Sequence, residues 1–548
     1  MNYKKLLLFF LLFLISLVPL LDLFHPGLPI THDGQDHVAR IANFYKNLTD
    51  GNLIPRWAPN LNWGYGHPVL MFLYPVPSYT SSLVHLLGFS LVDSIKITFG
   101  TMFILSGIAM YLWAREAFNE QAGFLAAILY MFTPYRFIDL YVRGAIGEHS
   151  AFVFLPLVLY FFLKLTQKIS FFYVVGGSLS LAGLILSHNA ISLMFLPIIL
   201  FYAFYLIFLA KTKKNIIINF FYILVFGFIL SAFFWVPAFF EGRYTLRNIV
   251  TAGGYLNNFI EFTALFYGKW SFGGSGQFSI QLGIINILFS LLSVFVLFYL
   301  YKKEDKKFLF LLFIIFYFLL TIFLMSKESN IIWQKILILQ NFQFPWRFLS
   351  VTVFATSVFG AIFLIVLPKK IQISFLIILC AAILYINKDY WHANNYLYKP
   401  ENFYTNIYNG TTDTGESAPI WSIRFMEKRP LANVEIIEGD GAISEIKRET
   451  SLHVYKIIAN KDVRIRENTL YFPGWKVLDN GKKVPIEFQD QKNRGLITYY
   501  IPKGEHEIKI VFEETKLRLF ADYLSLSGII TIMGLWIFSI KNKKYGKK

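Results

Sequence analysis

The chain has 548 residues, 56% of them hydrophobic and 16% charged, with a formal net charge of +17. A mean hydropathy of +0.51 excludes an ordinary soluble domain, in which about a quarter of residues are charged, and marks a polytopic membrane protein. The positive charge does not point to nucleic acid, because much of the lysine excess sits in short clusters at the ends of apolar runs.

Lys4 and Lys5 precede an apolar stretch to Phe24 that is near span length and lacks a small-residue cleavage pattern. It is expected to be a retained transmembrane helix rather than a signal peptide. Further apolar runs fall at about 95–114, 120–134, 150–166, 170–187, 190–210, 216–240, 281–301, 308–325, 347–367, 371–387 and 521–540. With the first helix they predict an α-helical polytopic membrane protein of about twelve spans. Lysines at 164 and 168, 211–214, 302–307, 369–370 and the tail Lys541–Lys548 mark cytoplasmic loops and put both termini in the cytoplasm. Residues 69–88, with Pro75, Pro77 and three serines, are expected to form an interfacial or re-entrant helix. The single cysteine, Cys380, excludes an intrachain disulfide.

This topology divides the chain into a transmembrane domain, 1–387, whose first outer loop is 25–94, then an extracytoplasmic β-sandwich-like domain, 388–520, and a C-terminal anchor with a basic cytoplasmic tail, 521–548. In the second, "ANVEIIEG", "SLHVYKIIA", "GLITYYIP" and "EHEIKIVF" alternate as strands do. "LDNGKKV" predicts a hairpin, since Asn-Gly suits the positive φ angles of a tight turn.

Polar groups gather at the expected outer ends of the spans, where they are costly unless used. "ITHDGQDHVAR" carries His32, Asp33, Asp36, His37 and Arg40. Val38, Ile41, Ala42 and Tyr45 recur at helical spacing, so an amphipathic helix on the membrane surface is expected, with Asp33 at its electropositive start. Helix capping is the other reading of Asp33. "YRFIDLYVRGAIGEHS" adds Arg136, Asp139, Arg143, Glu148 and His149, and capping is again the alternative for Glu148. His188, Arg243, Arg247 and Arg347 stand at later outer ends, where an arginine can also simply snorkel to lipid headgroups. The set reads as a base beside a phosphate-binding group. "GGSG" at 273–276 lacks the lysine of a phosphate loop and is expected to be a flexible segment.

The order of one helix, an acidic outer loop, a surface helix and "GNLIPRWAPNLNWGYGHPVLMFLYPVPSY" resembles the GT-C superfamily of integral-membrane glycosyltransferases. It is most similar there to membrane proteins labelled 6-pyruvoyl-tetrahydropterin synthase-related and to YfhO-like proteins. "YVRGAIGEH", "SHN", "FPWRF" and "YFPGWKVLDNGKKVPI" carry the same resemblance, which covers nearly the whole chain. The His cluster that pterin chemistry would need is not apparent. The resemblance implies a plasma-membrane enzyme that moves a sugar from a polyprenyl-phosphate donor to a lipid, glycan or protein acceptor at the outer face. It implies Asp33 as general base, with Asp36 as the second candidate, and Glu148 as acceptor- or metal-binding. A divalent cation, Mg or Mn, would lie between Asp33 and Glu148. His37 joins the acceptor group, and a histidine there could also serve as base. Arg347, His188, Arg243 and Arg247 would bind the donor phosphate. A non-catalytic scaffold or a lipid-linked glycan transporter is the alternative, because fold alone does not choose between them.

Overall fold

The computed structural model describes residues 3–266, 268–273 and 278–545, with side chains from Leu7 to Ile537 within those ranges. The side chains of Lys4 and Lys5, residues 274–276 of the GGSG segment and the side chains of the basic tail lie outside the described residues.

Among the described residues ten helices are long and apolar enough to cross a membrane, and two apolar helices are shorter, Glu120–Phe132 and Phe171–Ser187. Leu91–Ala117, Glu120–Phe132, Ile146–Gln167 and Leu349–Val366 form the centre, with inward faces almost wholly buried. Outer helices such as Ile284–Lys302 and Lys369–Asn387 present Leu, Ile and Phe outward, as lipid-facing helices must.

One expected span is divided. The run 216–240 breaks at Ser231 into Lys213–Leu230 and Ala232–Phe240. Ser231 Oγ donates back to the Gly227 carbonyl at 2.8 Å, a local bond that competes with the helix ladder. Ser525, on the C-terminal helix Lys516–Tyr545, accepts from the Phe233 amide and donates to the Ile229 carbonyl, both at 2.9 Å. It thereby satisfies backbone groups that the break exposes.

Residues 69–88 contain a twelve-residue helix, Pro75–Leu86, too short to span. The helix predicted at 35–49 is Gly34–Thr49, and protein encloses it on its polar side as well as its apolar one. His37, Arg40, Asn43 and Asn47 on its polar side are as buried as Val38 and Ile41. The reason is tertiary: residues 402–412 cover that side, and Arg40 donates to Thr412 Oγ1 at 3.2 Å.

The β region is narrower than 388–520. Strands run from Val434 to Phe512 in two antiparallel sheets. One is five-stranded, in the order Gly441–Arg448, Leu452–Ala459, Gly504–Phe512, Trp475–Asp479, Lys482–Val484. The other orders Val434–Glu438, Val463–Leu470 and Leu496–Ile501. Tyr455, Ile457, Ile465, Val477, Ile497 and Ile508 fill the space between them. Asn480 and Gly481 turn the expected hairpin at φ 48° and 81°. The first loop enters this core. Trp57 meets Trp475 edge to face at 5.4 Å, and Phe72 meets Phe472 at 6.1 Å. Below it Arg56 pairs with Glu514 at 3.1 Å and Asp522 at 2.6 Å, and buried Arg518 pairs with Glu241 at 2.7 Å.

Residues 388–433 are a strap of little regular structure. Tyr396–Leu397 pairs with Leu28–Pro29. The strap then crosses the helix Gly34–Thr49 and is laced to the first loop, with Tyr408 N–H on the Asn60 carbonyl at 2.7 Å and Met426 N–H on Asn62 Oδ1 at 2.9 Å.

Candidate active site

The first two polar loops are joined through backbone. The amides of His32 and Asp33 donate to the Val142 and Arg143 carbonyls, both at 2.9 Å. Two glycines of "YVRGAIGEH" permit the approach. Gly144 has φ +68°, and a Cβ there would stand 2.3 Å from Thr31 Oγ1. A Cβ on Gly147 would stand 2.7 Å from the Tyr74 ring and 2.8 Å from the Ser187 carbonyl.

Asp33 lies at the N-cap of Gly34–Thr49 without capping it. Its carboxylate is exposed and makes no hydrogen bond or ion pair among the described residues. Asp36 is half-buried and accepts from Tyr408 Oη at 2.7 Å, while Gln35 Nε2 donates to the same oxygen at 2.9 Å. Burial raises the Asp36 carboxyl above the usual range. Tyr408 and Arg40 oppose this, and the charges of Asp33 and Asp413 add to it. His37 is buried, and Arg40 donates to its Nδ1 at 2.9 Å. Burial and the Arg40 charge push this imidazole well below its ordinary value, so it is neutral and enclosed.

Glu148 is the hub of the second group. Its Oε1 accepts from Arg143 NH2 and Arg347 Nε, both at 2.9 Å, and its Oε2 accepts from Tyr135 Oη at 2.8 Å. Arg143 also holds Asp139 at 2.8 Å. His188 Nε2 stands 3.9 Å from Glu148, and its ring stacks on Tyr74 at 5.2 Å. Arg347 donates through NH1 to the Phe342 carbonyl at 2.9 Å. Two guanidiniums therefore converge on one carboxylate oxygen.

Tyr74 stands between the groups. Its ring centroid is 6.5 Å from that of His37. Burial raises its phenol, on which the charges of Arg40, Asp33, Arg347 and Glu148 also act. Of the other expected residues, Arg247 rests over the Phe72 ring at 5.1 Å, donates to the Ala238 carbonyl at 3.2 Å and feels Glu416 and Asp413. Arg243 does not join the cluster: it is exposed and lies over its neighbour Tyr244, which packs on Trp421.

The strap supplies residues that sequence reasoning missed. Asp413, with a side chain 4% exposed, lies 3.4 Å from buried His67. It accepts from the amides of Gly415 at 2.9 Å and Ser417 at 3.0 Å. Burial would raise this carboxyl, but His67 and these hydrogen bonds hold it well below the usual range. Glu416 binds Gln343, beside the Arg347 loop. The available signal was "GTTDTGES", a polar, glycine-flanked segment in an otherwise featureless stretch.

A metal between Asp33 and Glu148 does not fit these residues. Both Glu148 oxygens already face cationic or hydroxyl donors, and among the described residues no group of three His, Cys, Asp or Glu could hold an ion.

A protein of Lactococcus lactis subsp. cremoris (strain MG1363), carried as "Uncharacterized protein", is 29% identical over 253 residues, covering 44% of this chain and 41% of its own length. The apo oligosaccharyltransferase of Archaeoglobus fulgidus is similar with a TM-score of 0.47 at 13% identity, over 76% of this chain and 61% of that one. ArnT from Cupriavidus metallidurans, solved with undecaprenyl phosphate, has a TM-score of 0.37 at 12% identity, over 74% of this chain and 68% of its own. The chain thus spans less than half the length of the curated relative. The family model described as "6-pyruvoyl-tetrahydropterin synthase related domain; membrane protein" matches residues 70–397, from Tyr74 and Glu148 to Arg347. The chain therefore belongs to this family of membrane proteins.

Proposed function

We propose that the chain is a GT-C-type membrane glycosyltransferase. It moves a sugar from a polyprenyl-phosphate donor to a hydroxyl of a lipid, glycan or protein acceptor at the outer face of the plasma membrane, with both termini in the cytoplasm. The observation that carries the reading is the position of Tyr74, whose ring lies 6.5 Å from that of His37 on the first loop and stacks at 5.2 Å on His188, which stands 3.9 Å from Glu148. The acidic turn and the Glu148 cation pair thus approach one another across a single tyrosine. Asp33 takes the acceptor proton, since its carboxylate is unpartnered, whereas Asp36 is engaged by Tyr408. The acceptor oxygen attacks the anomeric carbon, the bond from that carbon to the phosphate oxygen breaks, and polyprenyl phosphate leaves with the electron pair. Arg347 and Arg143 stabilise the charge that develops on it. Glu148 acts as a positioning residue that holds both guanidiniums, and no step passes through a metal.

The test is sugar transfer from a panel of polyprenyl-phosphate sugars by the purified chain in liposomes. Wild type should release free polyprenyl phosphate, and Asp33→Asn should lower the rate at least a hundredfold, as loss of a general base does (about 10²–10⁴). Turnover by Asp33→Asn equal to wild type would end the assignment of the base. No turnover with any donor, together with donor movement between leaflets, would favour a transporter.

A further inference from the structure

We infer that the groove between the strap and the start of the helix Gly34–Thr49 is a seat for a neutral saccharide, which serves as the acceptor. This rests on the transferase reading and names its acceptor class. The groove encloses about 480 Å³, within the range of small-molecule sites. It opens beside the acidic turn, because Tyr408 both lines it and donates to Asp36.

Three features of its lining suit a sugar. The first is a set of unspent amides. Asn402 opens the one-turn helix Asn402–Thr405 and Asn406 follows it directly; both line the groove, and their side chains make no hydrogen bond among the described residues. Each amide offers donors and an acceptor side by side, the combination that neighbouring hydroxyls satisfy. The second is apolar surface. Phe403 is partly exposed, packs edge to face on buried Tyr408 at 5.9 Å and carries Lys399 over its ring at 5.2 Å; the rest of its ring and the exposed Ile407 beside it offer apolar area to the C–H faces of a pyranose. The third is charge. Arg429 is the only ionised side chain in the lining, and it already donates to the Ile407 carbonyl at 3.0 Å. No carboxylate lines the groove to receive a cationic ligand, and no cluster of cations lines it to receive a polyanion.

The full chain in lipid nanodiscs is examined by saturation-transfer difference NMR with maltose, cellobiose and N,N′-diacetylchitobiose. At least one should give a saturable signal, weakened about tenfold by Asn406→Leu and removed by Phe403→Ala. Both variants are checked for unchanged thermal unfolding. A saturable signal from a neutral peptide of similar size with none from the disaccharides would overturn the proposal. So would a disaccharide signal that both folded variants retain in full. Release of free polyprenyl phosphate from the donor panel, measured on the unaltered chain in liposomes supplied with lipid, glycan and peptide acceptors, tests the transferase reading separately. Such release with no disaccharide signal removes the groove and leaves the transferase. A signal that the variants abolish, with no release from any donor, keeps the saccharide seat and removes the transferase.

Discussion

If Glu148 holds the two arginines in place, its energy is shared with them, and a double-mutant cycle measures the sharing. Glu148 is 1% exposed and receives two charge-assisted bonds at 2.9 Å and one from Tyr135 at 2.8 Å. Glu148→Gln leaves two guanidiniums facing each other without their common anion. Removing one partner of a buried pair costs about 3–5 kcal/mol. Arg347→Gln leaves Glu148 still paired with Arg143, so its cost should be that of one charge-assisted bond, about 1.5–3 kcal/mol. The double variant should then cost less than the sum of the two by about 1.5–3 kcal/mol, because the bond between them is lost only once. The protein carries its own reporter. Cys380 is the only cysteine in the sequence and is buried on the helix Lys369–Asn387, so a fluorogenic maleimide reacts with it as the bundle opens in a denaturant series in mixed micelles. Arg243→Gln, which removes an exposed guanidinium resting on Tyr244, serves as control and should change stability by less than about 0.5 kcal/mol. Additivity of Glu148→Gln and Arg347→Gln within about 0.5 kcal/mol would refute the shared clamp.

Three further outcomes are expected. Arg347→Lys should insert and fold yet raise the KM for a polyprenyl-phosphate donor about tenfold, because an ammonium lacks the planar fork. A donor KM equal to wild type would make this arginine a membrane anchor. Gly147→Leu should cut transfer at least tenfold while Cys380 stays protected, since its Cβ alone would lie 2.7 Å from the Tyr74 ring. Unchanged turnover would show that Tyr74 need not sit where it does. In the β region, burial would raise the Glu467 carboxyl, but His453 and Arg448 hold it down at about 2. Its folded value is thus below the ordinary 4.5, so its stabilisation is complete above pH 4.5 and is lost as pH falls towards about 2. At about 1.4 kcal/mol per pH unit the loss is about 3 kcal/mol. Glu467→Gln should flatten this part of the acid profile, followed by tryptophan fluorescence, and an unaltered profile would contradict the pairing.

The helices were legible because each apolar run carries its own signal within about twenty residues. The hairpin at Asn480–Gly481 was legible for the same reason, a two-residue demand on φ. The strands Gly441–Arg448 and Val463–Leu470 were missed. Four residues of the first, Ser444, Glu445, Ile446 and Lys447, are exposed in succession, so no clean alternation marks it. The second hides Glu467 and Asn468 inside, where the pattern leads one to expect apolar side chains. The burial of the polar side of 34–49 could not be read locally, because it comes from contacts with residues about 370 positions away, such as Arg40 with Thr412. The same distance hid Asp413 and Tyr408, which no local pattern ties to the first loop. The break at Ser231 was invisible because the group that satisfies it, Ser525, belongs to the last helix.

The insertion of Trp57 and Phe72 among the strands sets a schedule for biosynthesis. These side chains share a core with Tyr65, Met71, Trp475 and Ile508, so the first large loop is completed by residues made some 400 positions after it. At about 5–20 residues per second, the roughly 400 intervening residues leave that loop without its partner for about 20–80 s. Throughout that interval two bulky indole and phenyl groups need temporary shelter, from a chaperone or from the bilayer surface. A ribosome that stalls before the strands are complete leaves a nascent chain with a sticky, unpaired loop, a ready target for membrane quality-control proteases.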